Sequence, residues 1–286
     1  MASIFIGCAG APPKLHVKDS AEYFDEGTII SGLTGQPVTF EDMLADLAAS
    51  RVIYVGEHHT DAAHHEIQLK IIEGIAGVNP DLAVGMEMFD ISYQSVLDQW
   101  SAGGLEENAF LEKVQWYANW RYDFNLYRDI LTFVKQNHIK LVGLNLPSYI
   151  PSRVRVGGIE NLLDSDRKYL PQNIDTTIEA HKAYVESIFK QHHFRGNTQF
   201  EYFYQAQCLW EDAMAETVSR ELDDDVMVVL AGNGHIIHKY GVPDRAYRRN
   251  GLSFRTVYLA TVGSEVELSF ADYIWVTPAL KQQQMR

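Results

Sequence analysis

The chain has 286 residues, 46% hydrophobic and 12% aromatic, which excludes a disordered or low-complexity polymer and allows a sizeable core without disulfide staples. Its 24 basic against 38 acidic residues leave a formal charge of −14, which disfavours nucleic acid as a partner and adsorption to anionic lipid by charge alone. No uncharged apolar stretch reaches the ~18–20 residues of a membrane span.

Residues 1–26 read as a leader and linker. The run Ser3-Ile4-Phe5-Ile6-Gly7-Cys8-Ala9-Gly10 resembles a bacterial lipobox, with a small residue before Cys8 and an apolar one three before it. The residues ahead of Cys8 carry no basic side chain and are too few for the charged and apolar regions of a signal peptide, so two readings stand: a lipidated Cys8 or a chance match. Lipidation would tether the chain to a bacterial envelope membrane, facing the periplasm or the surface, without crossing it. The other cysteine, Cys208, lies in a helical pattern and reads as a buried core thiol.

From residue 27 to 40 the pattern is strand, glycine-bearing turn, strand, which predicts a hairpin. Residues 41–49 form a short amphipathic helix with Met43, Leu44 and Leu47 on one side. A repeating unit follows. Residues 51–56, 82–86 and 140–144 read as short buried-type strands, 226–230 as a fourth, and 254–259 as a fifth. Helical patterns separate them over 61–76, with Ile67, Ile71 and Ile75 at intervals of four, after the second strand to about 101, and over 124–137. Uniformly apolar strands alternating with helices predict an α/β fold: a mainly parallel sheet flanked by helices on both faces.

Between residues 152 and 221 the strand signal vanishes. Helices are expected over 164–170, 175–193 and 199–222, punctuated by Gly157, Gly158, Pro171, Gly196 and Asn197. This segment reads as a small all-helical inserted domain. The α/β core then comprises residues 27–151 and 222–276, with a tail over 277–286. Ile178, His181, Val185, Ile188 and His192 share one stripe of the 175–193 helix. Phe200, Phe203, Tyr204, Gln207, Trp210, Met214 and Val218 make a broad stripe on the next, flanked by Tyr202. Two readings fit: ordinary helix packing, or an aromatic-lined site for a flat ligand or a dimer face. Tyrosinate is a hard oxygen ligand suited to ferric haem iron.

In open α/β sheets ligands bind beyond the carboxyl ends of the strands. The first four core strands are followed by Glu57-His58-His59, Glu87, Asn145 and Gly232-Asn233-Gly234-His235, which delivers carboxylates, imidazoles and amides to one edge. His64 and His65 are adjacent on the next helix and cannot both face the cleft; Gln68, one turn beyond His64, favours His64 as the inward one and leaves His65 to solvent. His238 falls three residues after His235. Glu57, His58, His64, Glu87 and His235 are candidate ligands of a divalent metal, and Glu57, His58, Glu87 and His235 of a metal-free acid–base centre. There is no HExxH, no phosphate-binding glycine loop and no GxSxG elbow.

The set Val55-Gly56-Glu57-His58-His59, Gln68, Gly85-Met86-Glu87-Met88-Phe89, Gly143-Leu144-Asn145-Leu146-Pro147, Tyr204-Gln205-Ala206-Gln207-Cys208-Leu209-Trp210, Leu230-Ala231-Gly232-Asn233-Gly234-His235 and Tyr240-Gly241-Val242-Pro243 resembles the haem-binding uptake proteins called ChaN. These fall in the wider group with Tiki proteases and erythromycin-esterase-like proteins. The resemblance covers nearly the whole chain. It implies a lipid-anchored protein of iron acquisition that binds haem at a homodimer interface, with a tyrosine on the iron and histidines near the propionates, and the chain is read as a non-enzymatic binder of this kind. Tyr204 is the expected ligand, with Tyr202 and Tyr184 as alternates. His181, His192, His193 and Arg195 are the expected partners of the anionic propionates. The alternative is a metal-dependent or His/Glu-based hydrolase working in the strand-end cleft.

Overall fold

The computed structural model describes residues 12–18, 20–191, 199–222 and 225–279. Two short strands, β1 (Leu15–Val17) and β2 (Tyr23–Phe24), precede the predicted hairpin of β3 (Ile29–Ser31) and β4 (Pro37–Val38). Helix α1 (Phe40–Ala48) leads into β5 (Val52–Glu57), α2 (Ala62–Ala76) and β6 (Leu82–Asp90). Four helices, α3 (Gln94–Ser101), α4 (Glu107–Val114), α5 (Trp116–Asn119) and α6 (Arg128–Gln136), come before β7 (Lys140–Asn145). The helical segment holds α7 (Tyr149–Gly157), α8 (Glu179–Gln191) and α9 (Phe200–Glu221). The chain ends with β8 (Val226–Gly232), α10 (Val242–Asn250), β9 (Phe254–Thr261), β10 (Glu265–Val266) and β11 (Tyr273–Thr277).

The main sheet runs β4-β3-β11-β9-β5-β8-β6-β7. From β11 to β7 all neighbours are parallel, and the β3–β4 hairpin closes one edge antiparallel to β11. Every residue of β5 and of β6 is buried, as strands covered on both faces must be. Alternation splits their side chains between two cores. Ile53, Val55, Val84 and Met86 join α1 to α6 on one face; Val52, Tyr54 and Ala83 join Met214, Ala215, Val218 and Ala246 on the other. The second half of α9 is therefore a layer of the α/β core, while its first half packs on α7 and α8.

Several boundaries differ from the sequence expectation for local reasons. The helix expected from residue 175 starts at Glu179, because the Asp175 carboxylate accepts from the Thr177 N–H and hydroxyl in a turn. The helix expected over 164–170 is a 3-10 stretch, Asp164–Tyr169. Strand β6 continues past Met86 to Asp90 through a register shift against β7. Gly143 permits this, since a Cβ there would lie 2.9 Å from the Asp90 carbonyl. Strand β11, which the sequence reading does not name, ends the core at Thr277, one residue past the expected bound.

Candidate functional site

Three neighbouring strands, β5, β8 and β6, end at one place and deliver Glu57, Gly232-Asn233 and Glu87. Glycine at position 56 makes this junction possible: a Cβ would fall 2.0 Å from Asn233 Oδ1, and Asn233 is anchored by donating to the Leu259 carbonyl at 2.9 Å.

Glu57 is 2% exposed, and both its oxygens are engaged. Tyr127 donates to Oε1 at 2.6 Å and His59 Nδ1 lies 2.7 Å from the same atom; Gln68 donates to Oε2 at 2.9 Å. Burial pushes the His59 imidazole down, but its bond to Glu57 and the charges of Glu87 and Glu57 outweigh burial and raise it. The ring also stacks edge-on against Trp120, 4.8 Å away.

A second chain of charges runs behind the first. His235 lies between two buried carboxylates, with Nε2 3.5 Å from Glu87 and Nδ1 3.3 Å from Glu211. Burial opposes its charge, yet the two carboxylates push it up to about 10. Burial alone would raise Glu87, but the charge and hydrogen bond of His235 and the Gly232 N–H, donating at 2.7 Å, bring it down to about 2. Glu211 in turn meets His181 at 3.2 Å and Arg245 at 3.3 Å. Arg245 also pairs with Asp212, which accepts from Arg249 at 2.7 Å. Six buried ionisable groups, Glu87, His235, Glu211, His181, Arg245 and Asp212, thus tie α8, α9 and α10 to the strand ends.

Two cavities open here and share only His59 and His235. One, of about 330 Å³, adds among others Glu87, Asp90, Asn119, Trp120, Tyr122 and Trp210. The other, of about 210 Å³, adds Tyr184, Val185, Ile188, Phe203 and Gln207. The Tyr184 ring lies 6.0 Å from that of His238, and its hydroxyl has no hydrogen-bond partner among the described residues. Burial raises its titration.

Measured against the sequence expectations, the strand ends bring Glu57, Glu87 and His235 together as the spacing implies, but other residues move. His58 is exposed, and His59 occupies the cleft instead, because strand-like alternation puts positions 57 and 59 on one side. His64 and His65 are both buried. His65 faces Glu57 and Gln68, at 3.4 and 3.1 Å, so it rather than His64 is the inward one. His64 accepts from the His58 N–H at 2.8 Å and bonds Thr277 at 3.1 Å on β11, a strand the sequence reading lacks. Burial, with His58 and His65 nearby, depresses its imidazole to about 3.

The expected metal set is corrected accordingly. Among the described residues no three His, Cys, Asp or Glu side chains converge to hold an ion; Glu57 is committed to three donors, and His58 and His64 lie away from it. The haem expectation also shifts. Tyr204 is fully buried and its hydroxyl donates to the Ile178 carbonyl at 3.3 Å, which closes it off from any ligand. His181 is sealed against Glu211 and Arg245 and cannot reach a propionate. Tyr202 is half-buried against Gly158. Of the three tyrosines, Tyr184 alone lines a cavity described here. His192, His193, Arg195 and Cys8 lie outside the described residues. Cys208 is buried beside Arg245, and burial pushes its thiol up to about 12.

Sequence reasoning misses Tyr127, Trp120, Glu211 and Arg245. For Glu211 a signal existed: a carboxylate pair, Glu211-Asp212, interrupts an apolar helix stripe. Tyr127 carries none, since it reaches Glu57 from 70 residues away.

In comparison with known proteins, the profile of the family described as haem-binding uptake, Tiki superfamily, ChaN matches residues 43–246. Among curated proteins none matches the chain. The structure of ChaN from Campylobacter jejuni, described as cofacial haem binding, superposes with a TM-score of 0.71 at 21% identity, covering 86% of this chain and 95% of that one. The erythromycin esterase EreC in its open conformation gives a TM-score of 0.49 at 13% identity, covering 82% and 78%. The type III effector HopBA1 gives 0.47 at 10% identity, covering 82% and 91%. With 204 of its 286 residues inside that profile, the chain belongs to the ChaN family of haem-binding uptake proteins within the Tiki superfamily.

Proposed function

We propose that this protein binds haem for iron acquisition as a homodimer, through Tyr184 on the iron, and that it does so without catalysing a reaction. The observation that carries the reading is the Tyr184 cavity. A phenol with an unspent hydroxyl stands beside Phe203, Val185 and Ile188, with His235 and His238 close by. An apolar wall with one oxygen ligand and imidazole neighbours suits a flat macrocycle bearing ferric iron. At about 210 Å³ the cavity is below the ~300–1,000 Å³ that encloses a drug-sized ligand, so one protomer covers only part of a haem. A second copy would cover the rest, in keeping with the cofacial arrangement described for the Campylobacter jejuni protein. Light scattering after gel filtration, with and without hemin, tests this: one haem per chain and a doubling of mass on loading are expected. Haem binding by a species that stays monomeric at every loading would overturn the dimer.

The same proposal includes an envelope location through lipidated Cys8. Its support is the lipobox-like run; among the described residues no helix is long and apolar enough to cross a membrane.

A second reading is favoured by one observation, the Glu57–His59 pair at the cavity wall. With Nδ1 of His59 donating to Glu57, Nε2 is the atom left to take a proton from water, which is the arrangement of a metal-free general base. Hydrolysis of an activated ester above buffer rates that vanishes in His59→Gln would favour it; identical rates in both proteins would remove it.

A further inference from the structure

The larger cavity, about 330 Å³, has no part in the haem reading beyond the shared His59 and His235. Its polar atoms are only partly used. Asp90 Oδ1 accepts from both the Ser92 N–H, at 2.9 Å, and the Ser92 hydroxyl, while Oδ2 has no partner among the described residues. Asn119 spends its amide hydrogens on Tyr93 Oη and the Val114 carbonyl, at 2.9 and 3.0 Å, which leaves its Oδ1 unpartnered in the same sense. Asp90 and Glu87 are 8% and 7% exposed, so these are built-in groups and not surface charges.

The lining decides the ligand's character. No Lys or Arg is among the residues that line it, which removes the usual recognition of phosphate or carboxylate. The imidazoles of His59 and His235 are paired with Glu57, Glu87 and Glu211, which leaves Asp90 as the lining carboxylate with no basic partner among the described residues and makes the lining rich in acceptors. Trp120, Tyr122 and Trp210 add flat apolar faces to this mixture of acceptors and donors. Hydroxyl groups both donate and accept, and a ring that carries several of them also has a C–H face to lay on an indole.

We propose that this strand-end cavity binds a neutral, polyhydroxylated ring of monosaccharide size, with Asp90 Oδ2 and Asn119 Oδ1 accepting from its hydroxyls. The volume, at the small end of enclosed ligand sites, fits one such ring better than an oligosaccharide.

The test is calorimetry on the haem-free protein with the methyl glycosides of glucose, galactose, mannose and N-acetylglucosamine. Choline and glucose 6-phosphate serve as the cationic and anionic comparisons. At least one neutral glycoside is expected to bind saturably with Kd below about 1 mM. Asp90→Asn retains the acceptor for Ser92 and should weaken binding by about tenfold or more, with Tyr122→Leu as a second variant on a different wall. Tyr184→Phe should bind the glycoside unchanged, so failure of the haem reading leaves this result standing. The proposal is overturned if no glycoside binds below about 10 mM, if both cavity variants bind like the parent protein, or if choline or glucose 6-phosphate binds more tightly than every neutral probe.

Discussion

Glu57 has a buried carboxylate and three donors, from Tyr127, Gln68 and His59, and this arrangement sets what His59 can do. Replacing it with Gln keeps the shape but puts a donor where donors already converge. Glu57→Gln is expected to cost about 1–3 kcal/mol in urea unfolding, the usual penalty of an orphaned buried polar group. It should also lower the His59 imidazole titration, followed by NMR, because the bond and the charge that raise it are gone. An unchanged titration would mean Glu57 does not act on His59. At this scale the sequence was informative where a residue ends a strand: Glu57, Glu87 and His235 are legible from position alone. Choosing His59 over His58 needed only the two-residue alternation of a strand, carried one step beyond its end. Tyr127 was out of reach, because a contact across 70 residues leaves no local pattern.

At the level of elements, α8, α9 and α10 are held by charge as well as by apolar packing. Arg245 is 1% exposed and touches Glu211, Asp212, Cys208 and the Asp175 carbonyl. Removing one partner of such a cluster leaves its carboxylates buried and unpaired. Arg245→Met should therefore destabilise the protein by about 3–5 kcal/mol, measured by chemical denaturation. A change below about 1 kcal/mol would show that the cluster is solvated or dispensable. This network also explains why Tyr204 misled. Its stripe on α9 follows helical spacing, but spacing does not say which part of a broad stripe meets a neighbouring helix and which meets a cavity. Packing against α8 and α10 claims Tyr204 and Cys208; Phe203 and Gln207, on the same stripe, line the cavity with Tyr184.

For the whole molecule, the parallel sheet was legible because strands buried on both faces are uniformly apolar, and the structure bears out that fold class. What escaped was order. Strand β8 inserts between β5 and β6, and β11 joins β9 beside the N-terminal hairpin; both are long-range pairings that periodicity does not encode. The pH response also belongs to this scale. His235 is raised from 6.5 to about 10 in the fold, so its stabilisation is complete below pH 6.5 and is lost as pH climbs towards 10. His64 is depressed from 6.5 to about 3, and Glu87 from 4.5 to about 2; their contributions are present above 6.5 and 4.5 and are lost on acidification. Thermal melts should therefore give a maximum near neutrality, with Tm falling from pH 7 to 10. His235→Asn should flatten that alkaline decline; an identical slope in the variant would dissociate His235 from it.

In the proposed function Tyr184, and not the tyrosine that sequence pattern favours, holds the haem iron. The most direct test of this assignment is the absorption spectrum of the hemin-loaded protein, taken in parallel for Tyr184→Phe, Tyr204→Phe and Tyr202→Phe. With Tyr184 on the iron, the parent protein shows a high-spin ferric tyrosinate spectrum that survives in Tyr204→Phe and Tyr202→Phe and is abolished in Tyr184→Phe. A tyrosinate spectrum that persists in Tyr184→Phe would contradict the assignment.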